Sequence, residues 1–144
     1  KVAIAKVEGA LAALVALLRD GSAVGKEKAA GALWSLAGND ENKVAIAKVE
    51  GALAALVALL RDGSAVGKEE AATALSNLAV NDDNEMAIAK EKGALAALVA
   101  LLRDGSAVGK EKAAGALRSL AVNADNQVDI AKVEGALAAL VALL

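Results

Sequence analysis

The sequence holds no cysteine, no histidine, no proline, no tyrosine and no phenylalanine, and Trp34 is its one aromatic residue. Without cysteine there is no disulfide and no thiolate chemistry. Without histidine there is no imidazole base, and the ordinary zinc sites go with the two together, leaving carboxylates as the remaining side-chain metal ligands. Serine and threonine are the nucleophiles left, with no histidine to activate them, so neither enzyme activity nor a cofactor is expected. Without proline nothing obliges a helix to stop. Charge is not concentrated either: 16 Lys and Arg are interspersed with 18 Asp and Glu, for a formal net charge of −2. Capture of nucleic acid or of an anionic membrane needs a basic patch, and none is written here.

What is present is repetition. The chain is 57% hydrophobic, almost all of it Ala, Leu and Val, and Ala and Leu rank high in helix propensity. Gly9 to Glu27 reads GALAALVALLRDGSAVGKE and recurs letter for letter at Gly51 to Glu69 and Gly93 to Glu111; its first ten letters return at Gly135 to Leu144. Each start lies 42 residues after the last, a spacing that marks stacked repeat units. One solenoid domain over 1–144 is expected, with repeats 1–42, 43–84 and 85–126 and a partial repeat 127–144. The opening KVAIAKVEGALAALVALL imitates a signal peptide, but the same run recurs inside the chain, so it reads as a core helix. Its apolar part is too short for the ~20 residues a bilayer span needs. A soluble protein with no targeting segment is expected.

Within a copy, Lys1 to Val7 reads as a short helix. Its second position holds Val2, Val44, Met86 and Val128, its fourth is always Ile and its fifth always Ala, which predicts those three as buried; the seventh, which changes from Val7 and Val49 to Glu91, is predicted wet. Gly9 should separate this helix from a second, in which Leu11, Leu14, Val15 and Leu18 form an amphipathic stripe at i, i+3, i+4 and i+7. Arg19-Asp20-Gly21-Ser22 breaks that helix, with Gly21 free to turn left-handed and Ser22 placed to cap the next. The third helix is expected from Ala23 to Ala37, with Leu33 and Leu36 inward and alanines allowing close approach. Asn39-Asp40-Glu41-Asn42 ends it and offers caps for the following copy.

Two stretches imitate ligand loops. Gly21-Ser22-Ala23-Val24-Gly25-Lys26 looks like a phosphate loop but has three residues between its glycines, lacks Ser or Thr after Lys26 and follows a helix, so it reads as a turn. Asn81-Asp82-Asp83-Asn84 lacks the twelve-residue spacing of a calcium loop and reads as helix capping.

A short helix, a Gly hinge, a second helix, a turn and a longer third helix in 42 residues resembles the armadillo repeat. The letters that carry the resemblance are Gly-Ala-Leu-Ala-Ala-Leu-Val-Ala-Leu-Leu from Gly9 and Ala-Leu-Ser-Asn-Leu-Ala from Ala74 to Ala79. It covers the whole chain and implies an all-α, right-handed solenoid of stacked three-helix repeats. The family usually has Pro where Ala12, Ala54, Ala96 and Ala138 stand, so the bend between the first two helices here rests on Gly alone. A HEAT-type solenoid with two helices per repeat is the neighbouring alternative.

The copies differ mainly in the third helix, at Lys28/Glu70/Lys112, Gly31/Thr73/Gly115, Trp34/Ser76/Arg118, Ser35/Asn77/Ser119 and Gly38/Val80/Val122. Offsets 28, 31, 35 and 38 share one helix face, with 34 at its edge. The resemblance places this stripe on a concave groove that binds extended peptides through Asn side chains on the third helix, a role that falls to Asn77. Ser35 and Ser119 replace that Asn in the other copies, and Gly31, Thr73 and Gly115 replace the family's aromatic partner. The candidate peptide-binding set is therefore Lys28, Trp34, Ser35, Glu70, Thr73, Asn77, Lys112, Arg118 and Ser119. Two readings stand: a weak binding groove for a peptide or protein segment, or a purely structural stack whose solvent-facing stripe varies freely. Trp34 is read as lying outside the core, displayed for binding or packed over Leu33 and Lys side chains. The missing initiator Met and the abrupt end suggest an excised or built fragment. With no third helix after it, the last copy should expose Leu137, Leu140, Val141 and Leu144 and favour homo-oligomers through the uncapped ends.

Overall fold

The computed structural model describes the backbone of residues 4–133 and 135–142 and the side chains of residues 9–133 and 135–142. All regular structure among them is helical: α1 (Ile4–Asp20), α2 (Ala23–Leu36), α3 (Asp40–Lys48), α4 (Ala52–Asp62), α5 (Ala65–Leu78), α6 (Asp82–Lys90), α7 (Ala94–Asp104), α8 (Ala107–Leu120), α9 (Ala124–Lys132) and α10 (Ala136–Ala142). The order short, middle and long runs through α3–α4–α5 and α6–α7–α8 and begins again with α9 and α10. Middle and long helices interlock through Leu53, Leu56, Val57, Leu59 and Leu60 on α4 and Ala71, Ala72, Leu75 and Leu78 on α5, all buried, and the same letters are buried one copy on except Ala114, which is half-buried. Full burial of such a Leu or Val stabilises by ~1.5–3 kcal/mol. The alanines let α2, α5 and α8 lie side by side.

Each third helix starts as the letters predict. Ser22, Ser64 and Ser106 accept the N–H of Gly25, Gly67 and Gly109 at 3.0 Å. The glycine before each cap is not left-handed, contrary to expectation: Gly63 and Gly105 are extended, at φ −76 and −77. What this position needs is the absence of Cβ, which would stand 2.5 Å from the carbonyl oxygen of Leu17, Leu59 or Leu101. That oxygen accepts the glycine N–H at 2.8 Å in all three copies.

Left-handed backbone occurs instead at Gly51, Gly93 and Gly135, with φ 80, 81 and 83, where the short helix turns into the middle one. The bend needs no proline. In the first copy the bend expected at Gly9 is absent, and α1 runs straight through it. The later short helices are held at their N-termini by Asn39, Asn81 and Asn123, whose Oδ1 atoms accept the N–H three residues on, and α3 and α6 touch the third helices before and after them. No described helix lies beneath the start of α1, and a continuous helix keeps every backbone bond for the ~0.5–1 kcal/mol that a mid-helix glycine costs.

The short helices also bury a different face from the one expected. They start a turn early, and their inward side follows the helical period through the half-buried Asn42, the buried Ile46 and the half-buried Val49. Of the predicted inward residues only Ile46, Ile88 and Ile130 are buried; Val44, Ala47 and Ala89 are partly covered, and Met86, Val128 and Ala131 are exposed. Val49, Glu91 and Val133, predicted wet, are half-buried, and Leu36 is only half-buried. The corresponding side chains from Val2 to Val7 lie outside the described residues.

Polar groups, the asparagines buried and the serines exposed, join successive copies. Asn84 Nδ2 donates to the carbonyls of Lys43 at 3.1 Å and Leu78 at 3.0 Å. Asn126 Nδ2 does the same to Glu85 at 3.3 Å and Leu120 at 3.0 Å. Ser64 Oγ donates to Glu27 Oε2 at 3.2 Å and Ser106 Oγ to Glu69 Oε2 at 3.0 Å. Lys43 and Glu85 are buried as well. Lys43 Nζ reaches Asp40 Oδ1 at 3.1 Å, while burial, and secondarily the Asp82 carboxylate, raises the Glu85 pKa.

Candidate binding face

The outward side of each third helix is set by its buried side. With Ala29, Ala30, Leu33 and Ala37 packed inward on α2, the opposite face presents Val24, Lys28, Gly31, Ser35 and Gly38. On α5 and the turn after it the equivalents are Val66, Glu70, Thr73, Asn77 and Val80, and on α8 and the turn after it Val108, Lys112, Gly115, Ser119 and Val122. Lys28, Ser35 and Arg118 are exposed; Trp34, Glu70, Thr73, Asn77, Lys112 and Ser119 are half-buried.

The structure brings three of the predicted residues together. Trp34 reaches across from α2 to α5, where its Nε1 donates to Glu70 Oε2 at 2.6 Å. Asn77 Nδ2 donates to the Trp34 carbonyl at 3.1 Å. Gly31 makes room for the pair, since a Cβ there would lie 2.8 Å from Glu70 Oε2. One copy on, a Cβ on Gly115 would lie 3.3 Å from Ser76 Oγ. The residue at offset 34 of one copy therefore lies against offsets 28 and 31 of the next. Trp34 packs partly on the core and is tied to Glu70, so it is half-buried rather than fully displayed. Ser35 Oγ and Thr73 Oγ1 donate back to Gly31 O and Glu69 O of their own helices, at 3.0 and 2.8 Å. Lys28, Lys112, Arg118 and Ser119 join no side-chain hydrogen bond or ion pair among the described residues.

Sequence reasoning missed the cross-copy pairing because it compared letters 42 apart, whereas Trp34 and Glu70 are 36 apart. It also missed Val24, Val66 and Val108, which do not vary between copies and yet are exposed. Elsewhere, two equivalent clefts of about 280 and 270 Å³ lie between copies at the turns, each lined by an Arg, a Lys, an Asp and a Ser together with alanines and two leucines. No residue of the candidate face lines them.

A stack of three-helix units displaying its long helices side by side defines a class, and the comparisons agree with it. A family model described as the armadillo/beta-catenin-like repeat matches residues 39–80, from the Asn39 cap to Val80. A designed armadillo repeat protein in complex with peptide (KR)4 is 36% identical at a TM-score of 0.85, over 94% of this chain and 57% of that one. Computationally designed armadillo repeat proteins for modular peptide recognition give 34% and 0.86 over 94% and 57%, and an engineered protein 34% and 0.84 over 92% and 55%. No curated protein matches in sequence. The chain belongs to the armadillo-repeat family. It spans a little over half the length of these solved relatives.

Proposed function

We infer that the chain is an engineered, consensus-like binding scaffold rather than an enzyme, and that its third-helix face takes up an extended peptide or protein segment weakly. The observation that carries this is the parallel stacking of α2, α5 and α8, which turns offsets 28, 31 and 35 of three copies into one polar strip. A relative of the same architecture is seen with peptide (KR)4. Weakness follows from the amides. Only α5 carries an Asn at offset 35, and part of its donor capacity goes to Trp34 O. A net hydrogen bond is worth ~0.5–1.5 kcal/mol, so each missing one weakens binding roughly 2- to 13-fold.

Titration of extended peptides against Trp34 emission tests this. A saturable shift is expected, weakened by Asn77→Ala and strengthened by Ser119→Asn; emission that ignores every peptide would leave the purely structural stack as the better account. Self-association is a second reading with its own observation. Leu137 and Val141 on α10 are 61% and 65% exposed, whereas their equivalents Leu53 and Val57 are 8% and 2%; Leu140 is half-buried, and Leu144 lies outside the described residues. Mass by light scattering should rise with concentration for the chain as it stands, and a constant monomer mass contradicts association.

A further inference from the structure

We propose that the third-helix face selects an extended peptide whose side chains alternate between apolar and charged, the charged ones running acidic, basic, acidic along the stack. This rests on the peptide-binding reading and supplies its ligand chemistry.

The face is not uniform across its width. At one edge stand Val24, Val66 and Val108, 61%, 50% and 46% exposed, and at the other Val80 and Val122, 64% and 73% exposed. Single exposed apolar residues are ordinary on any surface. These recur at 42-residue intervals, the first set in the opening turns of α2, α5 and α8 and the second just past the ends of α5 and α8, and so form two rows parallel to the stack. Between the rows, offset 28 carries Lys28, Glu70 and Lys112, so the charge alternates from helix to helix. Among the described residues no ion pair neutralises any of the three. Glu70 gives Oε2 to the Trp34 indole, which leaves its other oxygen for a cation and sets an aromatic ring beside it.

An extended chain sends successive side chains to opposite sides. Laid along the stack, it offers one row of side chains to the valines and the other to the charges. Helices packed at ~8–10 Å place the outer lysines roughly 16–20 Å apart. Charges on alternate peptide residues span about 13 Å over the same three sites, and flexible lysine side chains close the difference. The order plus, minus, plus reads the same from either end, so the match does not depend on which way the peptide runs. A wholly basic peptide would set like charge against Lys28 and Lys112.

The test uses three fluorophore-labelled peptides on the chain as it exists: Val-Asp-Val-Lys-Val-Asp-Val, its charge inverse Val-Lys-Val-Asp-Val-Lys-Val, and (KR)4, by anisotropy at low salt and in 1 M NaCl. The first should bind about tenfold tighter than either other, as expected for three exposed ion pairs, and the gap should close at high salt. In Glu70→Lys the preference should move to Val-Asp-Val-Asp-Val-Asp-Val. Equal or tighter binding of the inverse or of (KR)4 overturns this proposal and leaves peptide binding standing. If no peptide binds and Trp34 emission stays unmoved, the binding reading itself fails, and this proposal with it.

Discussion

Residues 1–27 and 43–69 carry identical letters, yet the two stretches do not have the same shape. In the first, residues 4–20 form one continuous helix through Gly9; the second bends at Gly51, with φ 80, between α3 and α4. Local sequence therefore permits the bend without dictating it. What differs is the surroundings: Asn39 caps α3, and α3 packs on the third helices of its own copy and of the copy before. The armadillo repeat shape here is a property of the stack.

The comparison breaks most readily at the buried asparagines. Asn84→Ala should cost ~0.5–1.5 kcal/mol for each of the two hydrogen bonds lost, read as a drop in the urea midpoint, whereas Asn42→Ala, at a half-buried residue with no described bond to Leu36, should cost well under half as much. Equal costs would show that the joints between copies are not what holds them. The glycines sharpen the same contrast by sign. Gly51→Ala forces an L side chain into left-handed backbone at ~1–2 kcal/mol, while Gly9→Ala, in a helix with open space around the added methyl, should stabilise by ~0.5–1 kcal/mol. Destabilisation by both would mean that α1 bends in solution. A smaller difference separates the caps: each Ser→Ala change loses ~1 kcal/mol of capping, and Ser64→Ala should lose a few tenths more than Ser22→Ala because its hydroxyl also donates to Glu27. The smallest effect is expected at Glu85. Its carboxyl pKa is raised by burial and then by Asp82, so the fold favours the protonated form; that contribution is complete below the ordinary carboxylate range and is lost as pH climbs through the raised value. Glu85→Gln should therefore be slightly more stable than the parent at pH 7 and indistinguishable from it in acid, as Gln127 suggests by filling the same offset and donating to Ala121 O at 2.8 Å. A gain that persists unchanged at pH 3 would point to packing instead.

Much of the fold is legible in the letters. The stripe of Leu11, Leu14, Val15 and Leu18, the serine caps and the inward Leu33 follow from helical period and capping chemistry, which act over a few residues. The short helix misleads because its inward side begins on a polar position, half-buried as Asn42 and buried as Asn84 and Asn126, the last two serving as joints that no hydrophobic pattern reveals. Gly21 and Gly51 look alike as letters, yet one needs room beside Leu17 and the other a positive φ. The variable stripe could be drawn as a face from spacing alone. Its internal pairing could not, because Trp34 meets Glu70 only once two helices lie side by side.

The third-helix face is the proposed working surface, carried on a frame of repeated letters. Amide chemical-shift mapping with Val-Asp-Val-Lys-Val-Asp-Val tests that directly. The largest shifts should fall within residues 24–38, 66–80 and 108–122 and on the Trp34 indole. Shifts centred on the turn clefts around Arg19 and Arg61, or on α10, would contradict it.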